Sequence, residues 1–362
     1  MEIKLIVDSE EFWEKLEKDI FAAKKRICIQ LMTFEGDSAG LKLADAIAGS
    51  AAAEKRILVD EYTKYVISDR FIYMPGNMRN PDLQAEVKST KQMFARLQQE
   101  GTRVKWTNPA GFLLKNFPRR NHKKIFIIDD VLYLGGINFS DHNFSWHDMM
   151  IRIEARDVTD FVYTDFMVAW HGPSIAHHKD FDGFSIHFLD GSDNENGYQY
   201  VLDLIDKARK EILVISPYIS YPFIDHLRAA VARDINVILI TPDNNNKKRL
   251  RTYLLYECRD EKIKLYLYRG MFHLKGMLID NECLIMGSSN FDYISYRIEE
   301  EVIVYVRCKH IIDDFRKRVF ENDLNNSEIY SGKIPWLTGW LHNFLLKGIA
   351  DISVGICRGF IR

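Results

Sequence analysis

Apolar residues recur at helical spacing near the start of the chain, at Phe12, Trp13, Leu16, Ile20 and Phe21, and the run then leads through AAKKR into ICIQLMTF. Spacings of three and four predict an amphipathic helix, and the nearly continuous apolar run after it predicts a strand buried on both faces. Asp8 and Glu11, just ahead of the stripe, read as a capping pair that opens the helix. The same plan returns from Asn194. Val201, Leu202, Ile205 and Ala208 form the stripe, and KARKEILVISPYI carries the helix end into a strand. Each half continues through a further helix-like stretch to another apolar strand, RILVD at 56–60 and NVILITP at 236–242. Strands are then predicted at VKW (104–106), KIFIID (124–129), VLYLGG (131–136) and MMIRIEA (149–155). They are answered by IKLYLY (263–268), KGMLID (275–280), CLIMG (283–287) and EVIVYV (301–306).

A duplicated pattern of helices alternating with doubly buried strands predicts an α/β protein of two similar α/β/α lobes, with mixed sheets and helices on both faces. The lobes are expected at 1–176 and 177–326, followed by a helical segment at 327–362. The boundary is placed in HGPSIAHHKDFDG (171–183), where Gly, Pro and polar residues interrupt the periodicity. A stretch from Tyr65 to Thr90, containing MPGNMRNP, has no counterpart in the second half and reads as a surface excursion.

The length of 362 residues suits two domains of roughly 150 each. With 47% hydrophobic and 28% charged residues the chain is of ordinary globular composition, and its net charge of −2 supplies no global field for polyanions. Any such binding must be local. Cys28, Cys258, Cys283, Cys308 and Cys357 contain no CxxC pair, which argues against a disulfide framework or zinc ribbon and for a reducing compartment. The amino-terminal MEIKLIVDSEEFWEKLEKD turns acidic before reaching signal-peptide length, and no run of eighteen uncharged apolar residues occurs, so neither export nor a spanning helix is expected.

Superposing the halves aligns NHKKIFIIDDVLYLGGIN (121–138) with FHLKGMLIDNECLIMGSSN (272–290). Both contain His-x-Lys-x4-Asp: His122, Lys124 and Asp129, followed by Gly135, Gly136 and Asn138; then His273, Lys275 and Asp280, followed by Gly287, Ser288 and Asn290. Chance supplies such a triplet at roughly one position in ten thousand, so two copies at matching places in a repeat are not accidental. On a strand, His and Lys two apart project from one face and can reach one bound group. Two histidines, two lysines and two asparagines that meet across a pseudo-twofold axis suit phosphodiester displacement. The lysines and asparagines answer the charge on the equatorial oxygens, one imidazole attacks phosphorus, and the other gives its proton to the leaving alkoxide. This chemistry requires no metal and no cofactor. Asp148 and Glu301, each heading an apolar strand, are the candidate orienters of the imidazoles, with Glu299 and Glu300 competing with Glu301. Asp129 and Asp280 are expected to brace the turns. His142, His147, His171, His177 and His178 lack a recognised metal-ligand spacing and read as solvent-exposed.

These residues resemble the phospholipase D superfamily, and within it the cardiolipin-synthase-like branch, over most of residues 1–325. Beyond the doubled motif, the basic lead Arg120-Asn121-His122-Lys123-Lys124, the GGINFSD, WHDMMIRIE and DFMVAW blocks, and NFDYISYRIEEEV with Asn290, Asp292, Ser295 and Glu301 are similar to that branch. The sequence departs from it at Ile294, where Arg is usual, and at Glu299, where Asn is usual. Five residues separate Asp129 from Gly135, where six separate Asp280 from Gly287. The resemblance implies two phospholipase D-like lobes, with His122 as nucleophile and His273 as acid/base.

The carboxy-terminal segment places Trp336, Leu337, Trp340, Leu341, Phe344, Leu345 and Ile349 at helical spacing, with a basic fringe of Lys333, Lys347, Arg358 and Arg362 against Asp351. Trp336, Trp340 and Phe344 are expected to contact an anionic membrane surface, and removal of everything after Asn326 is expected to release the protein from vesicles. The alternative is a terminal helix that closes over the domain pair. The expected enzyme is a phospholipase D or cardiolipin-synthase-type phosphatidyltransferase, cytoplasmic and peripheral at the membrane. Its substrate would be a phospholipid and its acceptor an alcohol or water. A phosphodiesterase nuclease is the alternative, weakened because the basic cluster PRRNHKK is short; a silent lipid-binding protein is weakened by the intact motifs. Nothing in the sequence specifies an oligomeric state.

Overall fold

The computed structural model describes residues 1–260, 262–332, 334 and 336–358, apart from the side chains of Trp336, Thr338, His342 and Arg358. It divides into two units, Met1–Ile175 and Ala176–Arg362. Among the described residues the first unit contains β1 (Glu2–Val7), α1 (Asp8–Ala22), β2 (Arg26–Leu31), α2 (Ser38–Gly49), β3 (Glu54–Asp60), β4 (Val66–Ile67), β5 (Arg70–Phe71), α3 (Pro75–Met78), α4 (Pro81–Gln99), β6 (Arg103–Thr107), β7 (Ile125–Ile128), β8 (Val131–Gly135), α5 (Asp141–Phe144), β9 (Met149–Glu154) and α6 (Arg156–His171). The second contains β10 (His177–Phe181), β11 (Phe184–Asp190), α7 (Asn194–Asp206), β12 (Glu211–Ile215), α8 (Phe223–Val231), β13 (Asn236–Pro242), α9 (Lys248–Glu257), β14 (Lys264–Tyr268), β15 (Gly276–Ile279), β16 (Cys283–Gly287), α10 (Tyr293–Arg297), β17 (Glu300–Val306), α11 (Lys309–Asp314), α12 (Glu321–Asn325), β18 (Ser327–Ile329) and α13 (Trp336–Arg358).

The duplication governs the topology. The first sheet runs β1-β9-β8-β7-β2-β3-β6 and the second β10-β11-β17-β16-β15-β12-β13-β14-β18. In each, three parallel strands, β2/β3/β6 or β12/β13/β14, adjoin an antiparallel meander, β7–β9 or β15–β17, which makes both sheets mixed. The continuous apolar strands follow from cover on both faces. In the first unit Phe12, Leu16, Leu43, Ile47, Phe94 and Leu97 of α1, α2 and α4 pack on Ile27, Ile29, Ile57 and Phe126. The alternating residues Cys28, Ile127 and Leu132 are buried too, and α6 contacts β2, β7, β8 and β9. In the second unit Tyr198, Val201, Phe223, Leu227 and Leu254 of α7, α8 and α9 pack on Ile212, Val214, Val237 and Leu239.

Several local expectations are corrected. Residues 177–181, read as linker, form β10, an edge strand paired antiparallel with β11; its polar HHKDF sequence carries no core face, which hid it. The Tyr65–Thr90 stretch is only partly a surface excursion. It ends inside the crossover helix α4, and Ile67, Ile72, Leu83 and Val87 make a small core of their own. Asp8 does not cap α1. Glu11 folds back to accept the Val7 N–H at 3.1 Å, while the Asp8 carboxylate turns to His147. The carboxy-terminal segment opens with a strand, β18, antiparallel to β14, before α13 begins.

Candidate functional site

In the first unit the motif enters through an extended segment, so His122 and Lys124 stand just ahead of β7 rather than within the ladder as expected. His122 is 5% exposed and Lys124 fully buried. The Lys124 ammonium donates to the backbone carbonyl of His122 at 2.6 Å, which fixes the long side chain against the histidine's own backbone. Two buried ion pairs flank the histidine. Arg120 donates to Asp60 Oδ1 at 2.6 Å, and the Asn121 N–H to Asp60 Oδ2 at 2.5 Å, at the end of β3. Lys123 donates to Asp165 on α6 at 3.0 Å. Sequence reasoning missed Asp60 and Asp165. The available signal for Asp165 was a carboxylate on the apolar stripe Val158, Val162, Phe166 and Ala169.

Asp129 turns the β7–β8 hairpin with a left-handed φ of 51°. Its carboxylate accepts the N–H groups of Lys24, Lys25 and Arg26 at 2.8–2.9 Å, tying the hairpin to the start of β2. Burial works to raise this carboxyl, but the three backbone donors prevail and hold it below the ordinary Asp value. Beyond β8, Gly136 lies against Asp148: a Cβ at that position would sit 2.4 Å from Asp148 Oδ1. Asp148 is buried, and its carboxylate accepts the Met149 N–H at 2.8 Å. Asn138 is buried with its amide oxygen unpartnered.

The second unit repeats this arrangement. His273 and Lys275 precede β15, both buried, and the Lys275 ammonium donates to the His273 carbonyl. Asp280, with φ 52°, accepts the N–H groups of Arg209, Lys210 and Glu211 at 2.7–3.1 Å. Asn290 is buried with its amide oxygen unpartnered, while its backbone carbonyl accepts Ser216 Oγ at 2.9 Å. The Tyr218 ring meets the His273 imidazole edge-on at 6.0 Å.

The two units differ where Ser288 replaces Gly136 and Glu301 replaces Asp148. Ser288 donates to Glu301 Oε2 and accepts the Val302 N–H at 3.0 Å, so a hydroxyl takes the backbone donor that Asp148 takes in the first unit. Ser295 holds the other oxygen of Glu301 at 2.7 Å and Glu299 at 3.0 Å. Glu299, Glu300 and Glu301 are all buried. Histidines neighbouring the first motif depart from expectation: His142 and His147 are half-buried, because Ser140 at 3.1 Å and Asp8 hold their rings; His177 is half-buried against Phe188, whereas His171 and His178 are exposed. In the first unit, away from the motif, the carboxylate oxygens of Glu35, Asp37 and Glu86 lie within 4.8 Å of one another and could hold a cation. Burial raises Glu35 and pushes Asp37 up to about 6.

Helix α13 has two unlike faces. Asn343, Val354 and Cys357 are buried, Leu346 packs on the core of the second unit, and Lys347 lies over the Tyr221 ring at 4.8 Å. Leu337, Trp340, Leu341, Phe344, Leu345, Ile349, Ile352 and Ile356 are exposed. Lys333, Arg362 and the side chains of Trp336 and Arg358 lie outside the described residues. Among the described residues no helix is long and apolar enough to cross a membrane.

Comparison with known proteins identifies the family. The family model described as cardiolipin synthase, PLD-like domain, matches residues 16–170 and 201–324. The chain is 25% identical over 373 residues to a cardiolipin synthase of Listeria monocytogenes, covering 93% of this chain and 72% of that protein. It is 25% identical over 378 residues to the major cardiolipin synthase ClsA of Bacillus subtilis, covering 92% and 72%. Among solved structures, phosphatidylserine synthase of Haemophilus influenzae superposes with a TM-score of 0.70 at 15% identity, covering 97% of this chain and 93% of that one, which shows a shared fold. With two copies of the motif held in the same way in two repeated units, and the family model matched across both, the chain belongs to the phospholipase D-like family of the cardiolipin synthases.

Proposed function

We propose that this protein is a phosphatidyltransferase that moves a phosphatidyl group from a phospholipid phosphodiester to an alcohol or water through a covalent phosphohistidine. The observation that carries the reading is the duplicated half-site: a buried histidine, a lysine tethered to that histidine's own carbonyl, and a buried asparagine. A lone half-site could bind a phosphate, but displacement in two steps uses two imidazoles. The names of the relatives add the lipid substrate class.

In this mechanism the unprotonated imidazole of His122 forms a P–N bond as the P–O bond to the leaving group breaks. The His273 imidazolium gives its proton to the departing alkoxide. The entering alcohol or water then loses its proton to neutral His273 and attacks phosphorus, breaking the P–N bond and restoring both residues. Lys124 and Lys275 balance charge on the non-bridging oxygens, with Asn138 and Asn290 as further donors. Asp148 and Glu301 orient the imidazoles. The exposed face of α13 rests on an anionic membrane, with Trp340 and Phe344 at the interface, so the enzyme works peripherally from the cytoplasmic side. The decisive experiment incubates the purified protein with phosphatidylglycerol vesicles and a short alcohol and identifies the products by mass spectrometry. Cardiolipin or phosphatidyl-alcohol is the expected product. Phosphatidate alone would restrict the enzyme to hydrolysis, and cleavage of single-stranded DNA or RNA in place of phospholipid would overturn the reading.

A further inference from the structure

The first unit carries a second apolar surface, remote in sequence from α13. Phe112 and Leu113 are 80% and 84% exposed, and Tyr73, Met74 and Met78 are exposed as well. The backbone keeps the first pair out in solvent. Leu113 and Leu114 adopt left-handed φ values of 53° and 58°, a conformation that costs energy for any residue with a Cβ. The base of the loop is pinned: the Ala110 N–H donates to Glu61 at 2.8 Å, the Asn116 N–H to the Ala110 carbonyl at 2.9 Å, and Arg120 to the Asn116 carbonyl at 2.7 Å. Phe117 closes the loop by packing on Tyr62, Tyr65 and Phe71, and Tyr73 packs on Tyr65 and Phe71, so both apolar tips rise from one aromatic cluster.

Within the two stretches that carry the tips the charge has one sign, with carboxylates outside them at Glu61 of the loop base and Asp69 ahead of Arg70. From Arg70 to Asn80 and from Gly111 to Arg119 the cations are Arg70, Arg79, Lys115 and Arg119, and neither stretch contains a carboxylate. A rigidly presented apolar tip with a basic fringe matches the acyl region and anionic head groups of a bilayer. The same chain segment runs from Leu113 to His122, and Arg120 ties its two ends together by donating both to the Asn116 carbonyl at the loop base and to Asp60 beside the motif.

We propose that the loop 110–117, with the turn 73–78, inserts into an anionic phospholipid surface and admits substrate to the first motif from there. This rests on phospholipid being the substrate. Insertion is read by Leu113→Cys carrying an environment-sensitive fluorophore; the native cysteines are buried except half-buried Cys308, whose signal is subtracted with the labelled parent protein. Adding phosphatidylglycerol vesicles should shift the emission to shorter wavelength, and phosphatidylcholine vesicles should shift it less. The double variant Phe112→Asp/Leu113→Asp should keep its thermal midpoint, since both side chains are exposed, and raise KM for vesicle substrate about tenfold or more. Emission unmoved by either vesicle, an emission shift that grows with protein concentration in the absence of lipid, or an unchanged KM in the double variant would overturn the proposal. Insertion requires no turnover, so a protein that inserts yet transforms no phospholipid would contradict the functional reading and leave the surface standing.

Discussion

Lys124 donates its ammonium to the backbone carbonyl of His122 at 2.6 Å, and Lys275 does the same to His273. Each motif thus fixes its own cation before any substrate arrives. In the proposed reaction a buried, bonded lysine would lose little further freedom on meeting the phosphate, so its charge would act through electrostatic preorganisation.

Asp129 and Asp280 should matter for stability rather than for the chemical step. Asp129→Ala removes three charge-assisted backbone bonds and should cost on the order of 2 kcal/mol after solvent screening, measured by denaturant unfolding. The folded Asp129 carboxyl lies below its unfolded value. Its stabilisation is therefore complete above about pH 5 and fades as pH falls below the ordinary Asp value of about 3.9 towards the lower folded one. Asp129→Ala should flatten that acid limb of the stability curve.

Asp165→Ala would remove the carboxylate from the buried Lys123 ammonium next to His122 and should cost about 3–5 kcal/mol, whereas Lys123→Met/Asp165→Leu should recover most of it. If the double variant is stable yet slow, with kcat reduced and KM kept, the pair positions His122. Full activity would reduce it to packing.

Gly136→Ala should push Asp148 out of place, because the new Cβ would lie 2.4 Å from its carboxylate. A cost of about 1–3 kcal/mol and a large fall in turnover are expected. Ser288→Gly removes the hydroxyl that bridges Glu301 and Val302 and should cost about 1 kcal/mol.

Most of the central strands and the doubled eight-residue motif were legible because unbroken apolar runs and a repeated motif are local signals, whereas β1 and β11, which precede α1 and α7, were not read. What stayed hidden depends on distant partners or on polar edges. HHKDF pairs as an edge strand without an apolar face, and Asp60 and Asp165 acquire their meaning only when folding brings them to Arg120 and Lys123. The amphipathic character of α13 was legible, but not that its second face docks on α9 and α10.

That docking changes how α13 must be tested. Truncation after Asn326 would also delete β18 and uncover Tyr256 and Tyr293, so loss of stability in the second unit is expected instead of clean release from vesicles. Trp340→Ser/Phe344→Ser alters only exposed side chains. It should weaken co-sedimentation with anionic vesicles and leave the melting temperature unchanged. High salt should weaken the parent protein's binding only in part, since apolar burial survives screening.

The division of labour between the histidines is tested most directly with a phosphatidyl p-nitrophenyl ester, whose leaving group departs without a proton. His273→Ala should then release a stoichiometric burst of nitrophenolate and stall, with the phosphatidyl adduct recovered on His122 by mass spectrometry after an alkaline quench, while His122→Ala releases none. A burst from His122→Ala with the adduct on His273 would exchange the two roles. Steady turnover at the parental rate in both folded variants would contradict the two-histidine mechanism.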